Sequence, residues 1–361
     1  MRVLTLTYPL TPVSRAACGG TEQIALQLLR RLGRSRGLEY TWVGAEGSRA
    51  DQAGVACVGW SEILERFHLA RPRPQVFTPE ALTEFEARCS EAATRLARGE
   101  GFALVHNQGA PPPACIRAAL PVLLTLHLAR RLYPQDMGAD RPRNWHWQCV
   151  SRTQAAGYGA EACCGVIANG VSLERIRPRR KPPGGNAPLL YLGRICPEKA
   201  PHLAIAIARR ARRRLWLAGS VAPFRDHQRY FAEAIAPELD GGIRWSPPPP
   251  EPVKLAMIAA AAVVVIPSCI EETSSLVAME AAAVGVPVLA LRVGALPEIV
   301  AEGETGYLAD TWEDLADRLT KAERLSPQAC RRHAAARFSA QTMAENYLEL
   351  YRRLAAGRVH P

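Results

Sequence analysis

The stretch from Val263 to Leu289, VVVIPSCIEETSSLVAMEAAAVGVPVL, constrains the fold of this chain more than any other. Val263, Val264, Val265 and Ile266 form a short β-branched run, suited to a strand buried on both faces. Pro267 and Ser268 end it, and a polar loop from Cys269 to Ser275 carries Glu271 and Glu272. An Ala-rich helix begins near Leu276 and stops at Gly285 and Pro287, with Val288 to Leu291 as the next strand. A strand, a loop, a helix and a further strand in that order form one unit of an α/β sheet.

The loop is suited to an anion. The first N–H groups of a helix have no internal partner, and the helix dipole is positive at that end. Ser274 or Ser275 can cap the helix, and a phosphate-bearing ligand fits such an end. Glu272 and Glu280 are eight residues apart, about 12 Å along one continuous helix. With Glu272 in the loop and Glu280 in the helix, both can reach one extended ligand at different points. Equally, Glu271 and Glu272 read as solvated loop charges and Glu280 as a surface residue. Its neighbours Ala278, Met279 and Ala281 to Ala283 instead suggest partial burial, which demands a partner.

The stretch resembles the E-x7-E signature of retaining glycosyltransferases of family 4, also called glycosyl transferases group 1. The matching residues are Pro267, Ser268, Glu272, Leu276, Glu280, Ala281, Ala283, Gly285, Pro287 and Val288. Ser274 and Ser275 stand where that family usually carries Phe–Gly. Further matches surround it. Gly193, Arg194 and Lys199 resemble the family's G-R-x-x-x-x-K-G, with Ala200 in place of the last Gly. Gly294, Leu296, Pro297 and Glu298 resemble its G-x-x-P-E element, and Gly303 to Leu308 its G-x-T-G-x-L turn. Gly19 to Glu22, GGTE, is similar to the first loop of many members, and His127 ends a TLH strand where members carry a His. The resemblance covers nearly the whole chain and is most specific in residues 189–310.

With 361 residues, one core is unlikely to suffice and two domains are expected. Arg supplies nearly all of the +11 net charge, because Lys181, Lys199, Lys254 and Lys321 are the only lysines. A basic chain favours anionic partners, whether nucleotides, nucleic acid or a membrane surface, although solvated Arg-rich faces account for such a charge equally well. The cysteines show no C-x-x-C or His spacing that suggests zinc, and they read as reduced core residues of a cytosolic protein. Pro9 and Pro12 interrupt any signal-like apolar run near Met1, and no run approaches the roughly 18 apolar residues of a spanning helix.

In chain order, Val3 to Thr7, Tyr40 to Val43, Leu104 to Asn107 and Val122 to His127 read as strands, and Ile24, Leu28, Leu29 and Leu32 as one helix face. Residues 61–98 are mostly helical in pattern, broken by Pro72, Pro74 and Pro79. Residues 129–147, with Arg130, Arg131, Tyr133, Arg141, Arg143, Trp145 and Trp147, read as a solvated loop able to stack on a sugar or base, an acceptor-site candidate. RPRRKPPGGNAP, Arg177 to Pro188, has the composition of a solvated hinge. Leu189 to Leu192, Leu215 to Gly219 and Ile243 to Trp245 are further strands. Pro201, Pro252, Trp312 and Gln328 open or lead into helices, and a last amphipathic helix includes Met343, Tyr347, Leu350, Tyr351 and Leu354.

The resemblance implies an α/β chain of two Rossmann-like domains facing across a cleft, the GT-B arrangement. The first is residues 1–180, on the acceptor side and completed by a C-terminal helix, 340–361. The second is residues 187–339, on the nucleotide-sugar side. The implied reaction moves a hexosyl group from a nucleoside diphosphate sugar, UDP favoured over GDP, to an acceptor hydroxyl with retention. By family precedent His127, Glu272, Arg194 and Lys199 are catalytic. Gly19, Gly20, Gly193, Arg194, Lys199, Glu272, Ser274, Ser275, Leu276, Val277 and Glu280 bind the donor. No cofactor or metal is expected. The acceptor is a saccharide, a lipid-linked sugar or a small molecule, nucleic acid is not an expected partner, and the place is the cytoplasm with peripheral contact at the inner membrane face. A non-catalytic nucleotide-sugar-binding protein, a GT-B sugar-nucleotide epimerase and, from charge alone, a nucleic-acid binder are the competing readings.

Overall fold

The computed structural model describes residues 1–14, 19–49, 55, 57–69, 79–109, 119–133, 142–158 and 163–358. The chain divides into two units: Met1–Ala168 with Ala340–Pro361, and Asn169–Ser339.

The first unit is built on strands β1 (Arg2–Leu6), β2 (Glu39–Gly44), β3 (Cys57–Gly59), β4 (Leu104–Asn107), β5 (Val122–Leu126), β6 (Trp145–Cys149) and β7 (Cys163–Val166). They form one parallel sheet in the order β3-β2-β1-β4-β5-β6-β7. Its helices are α1 (Gly20–Leu32), α2 (Trp60–Arg66), α3 (Pro79–Gly99) and α4 (Arg152–Ala156). Ile24, Leu28, Leu29 and Leu32, spaced at the helical period, are all buried along α1.

The second unit has β8 (Leu189–Leu192), β9 (Leu215–Ala218), β10 (Ile243–Ser246), β11 (Val264–Ile266), β12 (Val288–Leu291) and β13 (Gly306–Ala309), again all parallel, in the order β10-β9-β8-β11-β12-β13. Between and after them come α5 (Pro201–Arg210), α6 (Arg225–Tyr230), α7 (Glu251–Ala260), α8 (Leu276–Val284), α9 (Leu296–Ile299), α10 (Trp312–Glu323) and α11 (Pro327–Arg337). Val263, Val264 and Val265 are fully buried, as expected of a central parallel strand with helices on both faces. The last helix, α12 (Ala340–Ala355), belongs to the first unit, where it packs on α1 and β4. Both sheets have the doubly wound order, which reverses direction between β1 and β4 and between β8 and β11. No helix among the described residues is long and apolar enough to cross a membrane.

Three sequence expectations need correction. Residues 169–180 pack with the second unit rather than the first. Arg179 donates to the carbonyls of Gly285 (2.8 Å) and Ala261 (2.6 Å), and Arg331 to those of Leu173 and Ile176, so only the exposed residues that follow behave as a solvated stretch. Trp145 and Trp147 are not in a solvated loop. They lie in β6, 8% and 5% exposed, where their aromatic area fills the core. Arg141 lies outside the described residues, as do Pro72 and Pro74. Strand β3 and helix α6 were not anticipated, because Cys–Val–Gly and RDHQRY are too short or too polar to show a period.

Candidate functional site

In an open parallel sheet, ligands bind beyond the carboxyl ends of the strands where the order reverses. In the second unit those ends belong to β8 and β11, and the loops that leave them carry the residues singled out by the sequence. After β8 comes Gly193 to Lys199, and after β11 Pro267 to Ser275. The loops are tied together through their backbones: the Cys269 N–H donates to the Glu198 carbonyl (2.9 Å), and the Ser268 hydroxyl reaches the same oxygen at 3.4 Å. The tie brings Lys199 Nζ to 2.5 Å from Glu272 Oε1, with both side chains mostly shielded. Arg194 lies on the same loop, half exposed, with one guanidinium nitrogen 3.3 Å from Glu198 Oε1.

Glycines make these loops fit. A Cβ on Gly219 would stand 1.7 Å from the Gly193 carbonyl oxygen, and one on Gly294 would stand 2.3 Å from that of Glu272. Gly294 also has φ +53, and the next N–H, of Ala295, donates to Glu272 O at 2.7 Å. The G-x-x-P-E element thus holds the backbone of Glu272 in place. Gly219 was missed in the sequence, where it looked like an ordinary strand end.

Helix α8 starts where the loop after β11 ends. Ser275 is the cap, its hydroxyl accepting from the Ala278 N–H. The N–H groups of Leu276 and Val277 precede the first intrahelical bonds and remain donors for a ligand. Ser274 contributes a buried hydroxyl with no hydrogen-bond partner. One turn on, Glu280 pairs with Lys254 of α7 at 2.6 Å, and its other oxygen, Oε2, is buried without a partner. Burial pushes the Glu280 carboxyl above its ordinary value, against the opposing pull of the Lys254 ammonium. Lys254 was also missed. The available signal was scarcity: in a chain of four lysines, two face the two glutamates of the E-x7-E stretch.

Gly19, Gly20 and His127 lie in the first unit. Gly19 is the N-cap of α1 with no side-chain cap and Gly20 is the first helical residue, and the Glu22 carboxylate lies over this helix start, 1.9 Å from where a Cβ on Gly19 would stand. His127 follows β5. Its N–H donates to the Tyr133 hydroxyl at 3.1 Å, and burial pushes its imidazole down to about 4, so the ring is neutral at pH 7. Arg130 stacks on Tyr158, which also meets Trp147, so the arginine and aromatic residues here pack largely on one another. One grouping had no sequence signal. One ligand atom each from Cys196, Glu198 and His227 lie within 4.8 Å of one another, residues up to 31 positions apart.

Residues 187–323 match the family model described as glycosyl transferases group 1. The second unit is a group 1 glycosyl transferase domain. The D-inositol 3-phosphate glycosyltransferase of Corynebacterium efficiens is 35% identical to this chain over 167 residues, 44% of this chain and 39% of that protein. The glycogen synthase of Mycobacterium tuberculosis is 32% identical over 215 residues, 54% of this chain and 49% of that protein. The chain spans about half or less of the length of these curated relatives. Among solved structures, a glycosyltransferase involved in avilamycin A biosynthesis is similar at 25% identity with a TM-score of 0.69, covering 99% of this chain and 98% of that one. HepE of Anabaena, solved with UDP-glucose, is 17% identical with a TM-score of 0.67, covering 97% and 98%. The fold class of the group 1 domain and its companion is that of the GT-B glycosyltransferases: two Rossmann-like parallel-sheet domains.

Proposed function

We propose that the protein is a retaining glycosyltransferase of family 4 that moves a hexosyl group from a nucleoside diphosphate sugar, UDP favoured, to an acceptor hydroxyl. One observation carries the reading: at the reversal point of the second sheet, Lys199 and Glu272 pair at 2.5 Å beside Arg194 and the bare start of α8. As the bond from the sugar to the diphosphate breaks, negative charge grows on the leaving oxygen. Arg194, Lys199 and the N–H groups of Leu276 and Val277 are the donors that stabilise it. Arg offers a fork of donors and Lys a point charge, a pair suited to two adjacent phosphates. These cations supply the neutralisation at the diphosphate, so the reaction as proposed is metal-independent and uses no cofactor. Donor binding breaks the Lys199–Glu272 pair: the ammonium turns to phosphate and the carboxylate accepts sugar hydroxyls.

Glu280 accepts from the ribose through the oxygen that has no protein partner, while Lys254 holds the other. His127, neutral at pH 7, and Gly19 and Gly20 at the start of α1 are the further donor-site candidates that the resemblance implies in the first unit. The relatives favour a UDP donor, since HepE was solved with UDP-glucose. The acceptor is a saccharide, a lipid-linked sugar or a small metabolite. The +11 charge suits peripheral contact with an anionic inner membrane face from the cytoplasm.

Thermal shifts against UDP- and GDP-sugars test the donor. A ligand at about 100 times its dissociation constant adds roughly 2.7 kcal/mol to stability. A rise with UDP-sugars alone is expected, and a folded protein that responds to no nucleotide sugar overturns the proposal. With a donor in hand, the anomeric configuration of the product, read by NMR, tests retention.

A further inference from the structure

We propose that Cys196, Glu198 and His227 form a binding site for a thiophilic divalent cation, with zinc as the metal their chemistry suits. The three come from two elements of the second unit, the loop after β8 and helix α6. Their ligand atoms lie within 4.8 Å of one another. In a tetrahedral zinc site, ligand atoms stand about 3.5 Å apart, so closing around the ion takes movements of about 1 Å. His227 Nδ1 is buried and has no hydrogen-bond partner, an orphan that a metal bond would satisfy. A sulfur, an imidazole nitrogen and one carboxylate oxygen select zinc over magnesium or calcium, which take oxygen ligands. Three protein ligands leave a fourth position for water.

Two groups compete with the metal. Arg194 pairs with Glu198 at 3.3 Å, and the Cys196 thiol donates its proton to the Arg194 carbonyl at 3.8 Å. Binding therefore forms the sulfur–zinc bond, releases one proton to solvent and loosens the Glu198–Arg194 pair. The loop gains one net positive charge and its arginine is freed, so zinc and a nucleoside diphosphate strengthen each other's binding. This coupling rests on the donor-site reading, whereas metal binding does not.

The test starts from chelator-treated full-length protein titrated with zinc chloride by calorimetry in two buffers of different ionisation heat, and with cobalt(II) by near-ultraviolet absorption. The expected result is one ion per chain, about one proton released, a thiolate-to-cobalt charge-transfer band, and loss of all three in Cys196→Ser and in His227→Ala. His227 is only partly buried on a short surface helix, so its variant tests the site if Cys196→Ser does not fold. No heat and no band overturn the site, as does a band that persists in His227→Ala, which would place the metal on other cysteines. UDP titrated with and without zinc tests the coupling. An unchanged affinity overturns it, and no UDP binding in either case overturns the donor reading while leaving the metal site standing.

Discussion

The two units share a sheet order yet spend their polar groups differently. In the first, several polar side chains at the centre are bonded to one another in a chain, although the buried Thr5 hydroxyl and Gln108 amide stay outside it. His106, fully buried, holds the Tyr351 hydroxyl at 2.5 Å through Nδ1 and the Thr125 hydroxyl at 2.8 Å through Nε2. Thr125 and Tyr347 both reach Gln148 Oε1, at 2.9 and 2.6 Å, and Tyr40 reaches Tyr351 at 2.8 Å. The set joins β2, β4, β5 and β6 to α12. In the second unit the charges at the strand ends pair two by two: Lys199 with Glu272, Lys254 with Glu280, Arg194 with Glu198. Unlike the buried network, these pairs are partly exposed, and unpartnered atoms of Ser274 and Glu280 stand beside them. A buried network fixes a helix; open pairs can exchange partners with a ligand. Each variant below breaks one side of this contrast and should leave the other intact.

The largest effect belongs to the open pairs. Lys199→Ala removes a proposed donor to the leaving oxygen, and turnover should fall by about 10²–10³, as removal of one oxyanion donor does. The fold should hold, because the lysine is at a loop end and its partner Glu272 can turn to solvent. Steady-state rates with saturating donor check this, and near-normal turnover would take Lys199 out of the mechanism. His127→Ala, in contrast, should lower transfer more than it weakens nucleotide binding, and equal losses would mark it as structural.

The buried network should respond in stability and not in donor affinity. Tyr351→Phe leaves His106 Nδ1 and the Tyr40 hydroxyl each short of a buried partner, at a cost of about 1–3 kcal/mol in urea unfolding. Donor dissociation constants should stay within about twofold. The same network predicts a pH response. Burial pushes the His106 imidazole down to about 3. Below about 6.5 the unfolded chain takes up a proton that the folded one refuses, so stability is complete above that pH and falls by about 1.4 kcal/mol per pH unit toward 3. Unfolding between pH 6.5 and 4 should show this slope added to a like one from His127, whose imidazole burial pushes down to about 4, and the His106 share should vanish in His106→Asn. A slope unchanged in the variant would assign the proton elsewhere.

Much of this was legible in the sequence where local chemistry and tertiary role coincide. The β-branched run at Val263 could only be a buried strand, and Gly193, Arg194, Lys199, Glu272 and Glu280 stood at spacings that the doubly wound order brings to one edge. Contacts between residues far apart in the chain were not legible. Lys254 reaches Glu280 across 26 positions and His227 reaches Cys196 across 31, and no spacing rule reports either. Trp145 and Trp147 misled because aromatics among arginines fit a sugar platform as readily as a core strand. Arg179 misled because its setting, RPRRKPPGG, looks solvated while its guanidinium closes on two backbone carbonyls.

Ala200 sharpens the comparison with the smallest effect. It stands where the resembled motif carries Gly, and it adopts φ 48, ψ 48, the left-handed region, fully buried between Lys199 and α5. A Cβ there costs about 1–2 kcal/mol in backbone sterics. Replacing it by Gly relieves that cost but frees the unfolded chain, worth about 0.4–1 kcal/mol against folding. The buried methyl also goes, worth about 0.8 kcal/mol. These terms nearly cancel, which is why the chain can carry Ala at this position. Ala200→Gly should therefore shift unfolding free energy by less than about 1 kcal/mol, whereas Ala200→Val adds branching to a conformation that disfavours it and crowds a packed site, at about 2 kcal/mol or more. Chemical denaturation separates the outcomes. A gain well above 1 kcal/mol in Ala200→Gly would show that backbone strain dominates, and turnover measured alongside would show whether that strain holds Lys199 toward Glu272.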